Sequence, residues 1–223
     1  MHCSHPRPGP VRSSLAPVPS RDYHEALWRS VPEGLRPSGF DLRLRFLIDA
    51  LDPGERLLDL GCGEGYFGAA AVEAGATVLA VDVAEEPLRR ARALHPGLDV
   101  GLIEGEGDWE LEDGAFDVVW AGEVIEHIAD TASWLSELRR VLRPGGRLLL
   151  STPLLGRREL MAAAISGAVF ARRFEPRSDH LRHYNAATLR ALIADFGFER
   201  IALRSDGSRG ERLLLASAVR SRF

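Results

Sequence analysis

The stretch LLDLGCGEGYFG, residues 57–68, decides the fold of this chain. Leucines on both sides of Asp59 make the apolar run that is typical of a strand buried on both faces. The run continues into Gly61-x-Gly63-x-Gly65 and then into a helical pattern. Glycines suit such a turn because they accept positive φ and let a ligand approach the backbone closely. The stretch therefore predicts a strand, a ligand-binding turn and a helix N-terminus with free N–H groups.

Two acidic residues near this turn bear on which ligand binds there. The segment TVLAVD (77–82) reads as a second strand that ends in Asp82, where a carboxylate can accept hydrogen bonds from ribose hydroxyls. That acid and Gly63-x-Gly65-x-x-Gly68 also fit a dinucleotide fingerprint. Asp59, however, places a carboxylate at the predicted mouth of the turn, which disfavours a pyrophosphate and favours a cation. S-adenosylmethionine, which carries an ammonium and a sulfonium, is the better match.

The D-x-G-x-G-x-G run that begins at Asp59, together with Asp82, resembles the class I S-adenosylmethionine-dependent methyltransferases. Within them the chain is similar to the ubiquinone-biosynthesis type, with its type 11 and type 23 methyltransferase domains. The segment LRPGGRLLLSTP (142–153) matches the fifth-strand motif of that family. The resemblance covers roughly residues 40–220 and implies a three-layer α/β sandwich. Its Rossmann-like, seven-stranded sheet would be mostly parallel, with an antiparallel last strand.

The alternation of helical and strand patterns agrees with this fold class. Successive βαβ units indicate a parallel sheet, and two late segments around a turn-rich DGSRGE (206–211) indicate a hairpin. The predicted strands are 56–61, 77–82, 98–103, 116–121, 147–151, 199–205 and 212–220. The predicted helices are 22–30, 41–51, 65–74, 85–95, 132–142 and 186–196, the last with Asn185 as its N-cap.

Length and composition set broad limits on the protein. A chain of 223 residues suits one domain, and a net charge of −4 gives no sign of a nucleic-acid surface. Cys3 and Cys62 do not make a disulfide framework, so we expect a reducing, cytoplasmic setting. No segment is apolar enough to span a membrane. The expected assembly is a monomer or a homodimer.

The proline-rich residues 1–20 should be disordered and lack the apolar core of a signal peptide. Residues 21–223 should form the methyltransferase domain, with an insertion on the acceptor side at about 154–184. Within it, residues 157–174 hold an apolar stretch between arginine pairs. We interpret it as a helix covering the active site; peripheral contact with a membrane surface and a buried core helix are the alternatives.

The resemblance also implies further cofactor contacts. Arg43 is the best match for an arginine that reaches the methionine carboxylate, although Arg45 is close in register and a solvated helix face is the alternative. In the loop after the third strand, Asp108 with Trp109 fits the adenine position, and Glu106 with Gly107 is the alternative register. Gly122, at the end of the fourth strand, should lie against the cofactor.

The segment EVIEHI (123–128) carries the candidate catalytic groups. Glu123, Glu126 and His127 fall at the carboxyl end of a strand, and His127 or His180 could act as a general base. The resemblance extends to a four-ligand divalent metal site of some ubiquinone-type and small-RNA 3′-terminal 2′-O-methyltransferases. The implied ligands are Glu123, Glu126, His127 and His180, for Mg, Mn, Fe or Zn. Metal-free catalysis by a histidine and a loop-bracing role for His127 remain the alternatives.

The sequence therefore predicts an S-adenosylmethionine-dependent methyltransferase whose acceptor is a small molecule, with a hydroxyl as the expected methyl acceptor. Two hypotheses of other classes stand beside it. An RNA 3′-terminal 2′-O-methyltransferase would share the His180 pattern, although nucleic acid is disfavoured by the acidic balance of the chain. A binding-only protein would keep the cofactor fold without turnover.

Overall fold

The computed structural model describes residues 20–175, 179–206 and 212–222. Its centre is a seven-stranded sheet in the order β3-β2-β1-β4-β5-β7-β6. The strands are β1 (Arg56–Leu60), β2 (Thr77–Asp82), β3 (Asp99–Leu102), β4 (Phe116–Gly122), β5 (Leu142–Pro153), β6 (Phe198–Asp206) and β7 (Leu213–Arg220). Strand β7 is antiparallel to both of its neighbours, and the pairs among β1 to β5 are parallel. The predicted Rossmann-like fold class is confirmed.

Helices cover both faces of the sheet. They are α1 (Ser20–Ser30), α2 (Phe40–Ile48), α3 (Tyr66–Glu73), α4 (Glu85–Leu94), α5 (Thr131–Val141), α6 (Arg157–Ile165), α7 (Gly167–Arg173) and α8 (Ala186–Asp195). Buried side chains of α2, α3 and α4 pack in one hydrophobic cluster, and those of α5 and α8 pack in another. These clusters are the two interfaces of a three-layer sandwich.

Strand β1 shows why the sheet is buried on both faces. Leu57 belongs to the cluster beneath α2, α3 and α4, whereas Leu58 and Leu60 belong to the cluster beneath α5 and α8. Leu60 is also in register with the penultimate residue of both neighbouring strands, Val81 on β2 and Ala121 on β4. The carboxyl ends of these strands therefore meet at one edge of the sheet, where open α/β sheets bind ligands.

Cap residues account for the starts of α5 and α8. The carboxylate of Asp130 accepts hydrogen bonds from N–H groups in the first turn of α5. Asn185 and Thr188 form a reciprocal capping box at the start of α8, as the sequence predicted for Asn185. Each cap supplies partners for N–H groups that a helix leaves unpaired at its start.

The insertion departs from its prediction. Residues 157–174 form two short helices, α6 and α7, because the Ser166 side chain caps a new helix instead of continuing the first. Apolar side chains on this pair are exposed, with 84% of Ile165 and 54% of Phe170 accessible to solvent. The buried-core alternative therefore fails for these side chains. In the described ranges, no helix combines the length and apolarity that crossing a bilayer would need.

Some predictions lie outside the described residues. These include the disorder expected before Ser20, where α1 begins, and most of the turn at 206–211. The predicted hairpin strands on either side of that turn are confirmed as β6 and β7.

Candidate functional site

The glycine turn after β1 adopts the backbone that its sequence predicts. Gly61, Gly63 and Gly65 have φ values of +71°, +55° and +79°. The N–H groups of Gly61 and Cys62 donate to the carbonyl oxygen of Val81, at 2.8 and 3.0 Å, so β2 fixes the path of the turn. An L side chain at these glycines would be strained, which explains the residue type.

Asp82 joins the turn to the loop that follows β2. One carboxylate oxygen accepts from the N–H of Gly63 and the other from the N–H of Ala84, both at 3.0 Å. Burial raises the pKa of this carboxyl above its usual value, although these hydrogen bonds oppose the shift. The side chain lines a cavity at the carboxyl edge of the sheet, where the sequence predicted a ribose contact.

Two adjoining cavities open at this edge. The first, of about 280 Å³, is lined by residues that include Asp82, Ile103, Trp109 and His127. The second, of about 320 Å³, is lined by residues that include Arg43, the glycine turn and Gly122. Four residues line both cavities: Trp28, Val31, Gly61 and Glu123. An elongated ligand could occupy both cavities by passing over Gly61.

Arg43 is the arginine of α2 that faces the site, whereas Arg45 is exposed. Its guanidinium donates to the Ser38 carbonyl oxygen at 2.7 Å and lies 5.1 Å from the centre of the Phe67 ring. The buried Nε has no hydrogen-bond partner among the described residues. Burial lowers the pKa of this arginine, and an anion bound beside it would offset that effect.

Gly122 ends β4 and lines the second cavity, and its contact with the cofactor stays a prediction. A Cβ built on this residue would lie 2.7 Å from the Trp120 indole, so only glycine fits without displacing that ring. The next residue, Glu123, has a φ of +60°, which is unusual for a residue with a side chain. The chain therefore turns sharply at the point where the predicted catalytic segment begins.

Asp59 requires a correction. The sequence placed its carboxylate at the mouth of the glycine turn, but the side chain is 1% exposed and lines neither cavity. One oxygen lies 3.0 Å from the position of a Cβ on Gly68, beneath the start of α3. Burial raises the pKa of Asp59 to about 7. Asp59 therefore lies behind the turn, because strand alternation directs it into the layer of α2, α3 and α4.

The predicted adenine contacts are corrected in part. Trp109 lines the first cavity, but Asp108 is exposed and does not. The Trp109 N–H already donates to Glu137 at 3.1 Å, so it does not supply a free backbone donor. In the alternative register Glu106 lines the cavity, while its carboxylate accepts from the N–H groups of Ala129 and Asp130. The sequence does not predict these hydrogen bonds to backbone groups, because they form between segments that only folding brings together.

Three of the four predicted metal ligands come together. Potential ligand atoms of Glu126, His127 and His180 all lie within 4.8 Å of one another. The rings of the two histidines are 4.9 Å apart and nearly perpendicular. Glu123 lies outside this group: one of its oxygens accepts from the Ser151 hydroxyl at 2.7 Å, and the side chain borders both cavities.

Glu126 is the buried member of the cluster. One carboxylate oxygen accepts from the Thr152 hydroxyl at 2.9 Å, and the other has no partner among the described residues. Burial, with the nearby negative charge of Glu123 as a second cause, raises the pKa of Glu126 to about 8. A cation or a proton beside this oxygen would relieve the cost of burying an unpaired charge.

His127 is held in one orientation by Asp179. Its Nδ1 lies 3.0 Å from the Asp179 carbonyl oxygen, which can only accept, so Nδ1 carries the hydrogen. The Nε2 atom of the neutral ring is therefore left with the lone pair. Burial lowers the pKa of His127, while the Asp179 charge opposes this. The ring is thus suited to accept a proton or to bind a metal through Nε2.

The insertion reaches the site through its last residues. The N–H groups of Leu181 and Arg182 donate to the Glu126 carbonyl oxygen, at 2.8 and 3.1 Å. This backbone pairing places His180 beside His127. The described residues that line the two cavities include none from α6 or α7, so the predicted apolar cover is not observed there.

Helix α1 supplies site residues that sequence reasoning missed. Trp28 lines both cavities, and His24 lies in the first, with its ring 6.1 Å from that of His127. The sequence predicted a helix at 22–30, but nothing in that pattern indicates that the helix packs over the glycine turn.

Comparison with known proteins agrees with this geometry. Residues 28–203 match a family described as "Methyltransferase domain". The chain belongs to the class I S-adenosylmethionine-dependent methyltransferases. A ubiquinone biosynthesis O-methyltransferase from Thiobacillus denitrificans is 33% identical over 167 residues, covering 71% of each chain. A 37.1 kDa protein in transposon Tn4556 of Streptomyces fradiae is 44% identical over 115 residues, which is 48% of this methyltransferase and 33% of that protein.

Solved structures show the same fold. A putative methyltransferase from Bacillus halodurans superposes with a TM-score of 0.65 and 20% identity, covering 80% of this chain and 98% of that one. Phosphoethanolamine N-methyltransferase 2 of Haemonchus contortus, solved with S-adenosyl-L-methionine, gives a TM-score of 0.62 at 20% identity. That alignment covers 83% of this methyltransferase and 53% of the nematode protein. These identities bear on the fold alone.

Proposed function

We propose that this methyltransferase transfers the methyl group of S-adenosylmethionine to a hydroxyl of a small molecule. The observation that carries the proposal is the cluster of Glu126, His127 and His180 beside the first cavity. An oxygen nucleophile needs a proton acceptor, and this cluster offers one at the carboxyl edge of the sheet. Relatives named ubiquinone biosynthesis O-methyltransferases, at 33% and 35% identity, support an oxygen acceptor.

The two cavities suggest how the cofactor lies. Asp82 in the first cavity suits the ribose hydroxyls, and Arg43 in the second suits the methionine carboxylate. The sulfonium would then lie near Gly61 and Glu123, which border both cavities. The acceptor would enter from the side of His127. Holding nucleophile and methyl carbon in line in such a site contributes roughly 7–11 kcal/mol to catalysis.

His127 is the proposed proton acceptor. Its Nδ1–H donates to the Asp179 carbonyl oxygen, which fixes the tautomer. The Nε2 atom therefore carries the lone pair that can accept a proton. The lowered pKa keeps the ring unprotonated near neutral pH. Asp179 also has a carboxylate oxygen 3.5 Å from Nδ1, which would stabilise the imidazolium after proton transfer.

The same residues fit a divalent metal. Glu126, His127 and His180 would hold it, and the unpaired buried oxygen of Glu126 is the feature of this structure that favours such a ligand. When bound, a divalent ion lowers the pKa of a coordinated hydroxyl. The chain contributes the orientation of the donors: Thr152 fixes one oxygen of Glu126, and Asp179 fixes the His127 ring.

The test combines labelled S-adenosylmethionine with a panel of phenols, catechols, aliphatic alcohols, amines and a short RNA with a free 3′ end, followed by mass spectrometry of the products. Methylation at oxygen supports the proposal, whereas transfer only to amines, or only to a 3′-terminal RNA ribose, contradicts it. EDTA treatment with metal add-back distinguishes metal-assisted catalysis from catalysis by His127 alone. A metal predicts similar losses for alanine at Glu126, His127 and His180, whereas a lone base predicts one severe loss.

We also propose that the exposed helices α6 and α7 meet a membrane surface at its interface. Met161, Ile165 and Phe170 present accessible apolar side chains, with 64%, 84% and 54% of each exposed. Burying such side chains at the boundary between lipid head groups and acyl chains lowers the free energy. Co-sedimentation with anionic vesicles, compared between the wild type and Ile165→Ser, tests this; equal binding of both proteins would contradict it.

A further inference from the structure

Helix α1 lies directly over the glycine turn. A Cβ built on Gly63 would lie 2.9 Å from ring carbons of Trp28, so the indole rests on the backbone of the turn. Trp28 and Val31, at the C-terminal end of α1, each line both cavities. This end of α1 is therefore the outer wall at the point where the two cavities adjoin.

A buried arginine holds that end of α1 in place. Arg90 on α4 is 4% exposed, and its guanidinium donates to the carbonyl oxygens of Trp28 and Val31, at 2.6 and 2.9 Å. Carbonyls at a helix C-terminus carry partial negative charge, so a cation there is favourable. The guanidinium also lies 5.9 Å from the Trp28 ring.

The same guanidinium connects α1 to the glycine turn. Arg90 donates to a carboxylate oxygen of Glu64 at 3.1 Å, and Glu64 is 3% exposed within the turn. Glu64 in turn accepts from the N–H of Gly34, at 3.0 Å, in the segment after α1. A second carboxylate, that of Glu86, accepts from Arg90 Nε at 2.8 Å and fixes the plane of the guanidinium.

An earlier residue of α1 binds the start of α4. One oxygen of Glu25 accepts from the N–H groups of Glu85 and Glu86, at 2.9 and 3.1 Å. Thus α1 supplies an acceptor to the N-terminus of α4, and α4 supplies a donor to the C-terminus of α1. These polar contacts, rather than a strand of the sheet, fix the position of α1 over the site.

We infer that α1 is a latch over the bound cofactor, that Trp28 covers the cofactor where it crosses Gly61, and that Arg90 is the residue that positions the latch. S-adenosylmethionine that reaches from Asp82 to Arg43 must pass between Gly61 and Trp28. Entry and release then require Trp28 to move, and the bonds from Arg90 resist that movement. The inference rests on the cofactor of the family and not on the identity of the acceptor.

The experiment measures association and dissociation of labelled S-adenosylhomocysteine without any acceptor. The variants are Trp28→Ala, Trp28→Phe and Arg90→Lys. Arg92→Ala is the matched control, because Arg92 lies on the same helix and its side chain forms an exposed ion pair with Glu85. Trp28→Ala should raise the dissociation rate because the covering ring is lost, and Arg90→Lys should raise it by roughly tenfold, the effect of losing one hydrogen bond to a charged group. Association should become faster as well, because an open latch eases entry.

Trp28→Phe should restore slow dissociation in part, since an aromatic ring still covers the turn, and Arg92→Ala should behave as the wild type. A residue that merely supported the fold would instead lower the bound fraction without speeding association. Unchanged rates in both Trp28→Ala and Arg90→Lys would overturn the inference, as would faster dissociation with slower association. If Arg90→Lys fails to fold, the two Trp28 variants decide the question by the same rates.

Discussion

The glycine turn and the cluster of Glu126, His127 and His180 meet at one edge of the sheet, yet they are assembled in different ways. The turn uses residues 61–65, closely spaced in the sequence and pinned by bonds to the adjacent strand β2. The cluster joins two segments that are 52 positions apart where His127 meets Asp179. The turn is therefore a local structure, whereas the cluster exists only after the insertion has docked.

Their electrostatics differ as well. Asp82 beside the turn has backbone N–H partners for both carboxylate oxygens. Glu126 in the cluster keeps one buried oxygen without a partner, and its pKa rises to about 8. A satisfied carboxylate fixes a binding surface, while an unsatisfied one is poised to bind a proton or a cation. We therefore propose that the turn binds the cofactor and that the cluster carries the chemistry.

The strongest test of this division is His127→Ala. Loss of a general base costs about 10²–10⁴-fold in turnover, so kcat should fall by that factor. The affinity for S-adenosylhomocysteine, measured by calorimetry, should stay within error of the wild type because the turn is untouched. His183→Ala, whose ring contacts Phe174, is the matched control. A comparable loss of cofactor affinity would show that the two regions are not separable.

Asp82→Ala should produce the opposite pattern. The affinity for S-adenosylhomocysteine should weaken by about 1.5–3 kcal/mol, the range for hydrogen bonds to a charged group. The variant also frees the N–H groups of Gly63 and Ala84, which loosens the turn. Turnover at saturating cofactor should change less than cofactor affinity. Wild-type affinity in calorimetry would mean that Asp82 shapes the turn without contacting the ribose.

The buried carboxyl of Asp59 gives a stability test of the layer behind the turn. Its pKa is about 7 when folded, above the unfolded value of 3.8, so the folded state binds the extra proton between these values. Stability is therefore greatest at low pH and falls as the pH rises through the folded pKa. Between about pH 6 and pH 8 the contribution of Asp59 to the free energy of unfolding should fall by about 1.4 kcal/mol.

Asp59→Asn should remove that component, because an amide cannot ionise. Urea unfolding of both proteins at several pH values provides the measurement. The free energy of unfolding of the wild type should fall more steeply with rising pH than that of Asp59→Asn. Glu126 contributes equally to both proteins and cancels in the difference. Identical slopes would mean that Asp59 is ionised in the fold with a partner at its second oxygen.

The same contrast explains what the sequence could predict. Gly61, Gly63 and Asp82 were predicted together because a strand, a turn and an acid follow one another along the chain, and local spacing determines their geometry. Asn185 was predicted as an N-cap for the same reason. The mostly parallel seven-stranded sheet with its antiparallel last strand followed from the family resemblance and is confirmed.

The errors arose where tertiary packing decides. Asp59 was expected to face the ligand, but strand alternation directs it inward. Asp108 was preferred over Glu106, although only the path of the folded loop determines which one faces the cavity. Trp28 and Arg90 were missed, because an amphipathic helix pattern shows which side is buried but not what that side covers.

The smallest effect should come from the exposed apolar side chains of α6 and α7. Ile165→Ser combined with Phe170→Ser should change the free energy of unfolding by no more than about 0.5 kcal/mol, as for surface positions generally. Both side chains are largely accessible, and neither lines a cavity of the site. Calorimetric affinity for S-adenosylhomocysteine should also be unchanged. Leu189→Ser, at a fully buried position on α8, supplies the contrast and should destabilise the fold strongly. A large loss of stability in the double variant would show that α6 and α7 pack into the domain. The insertion would then be part of the folded core and not an exposed segment on its surface.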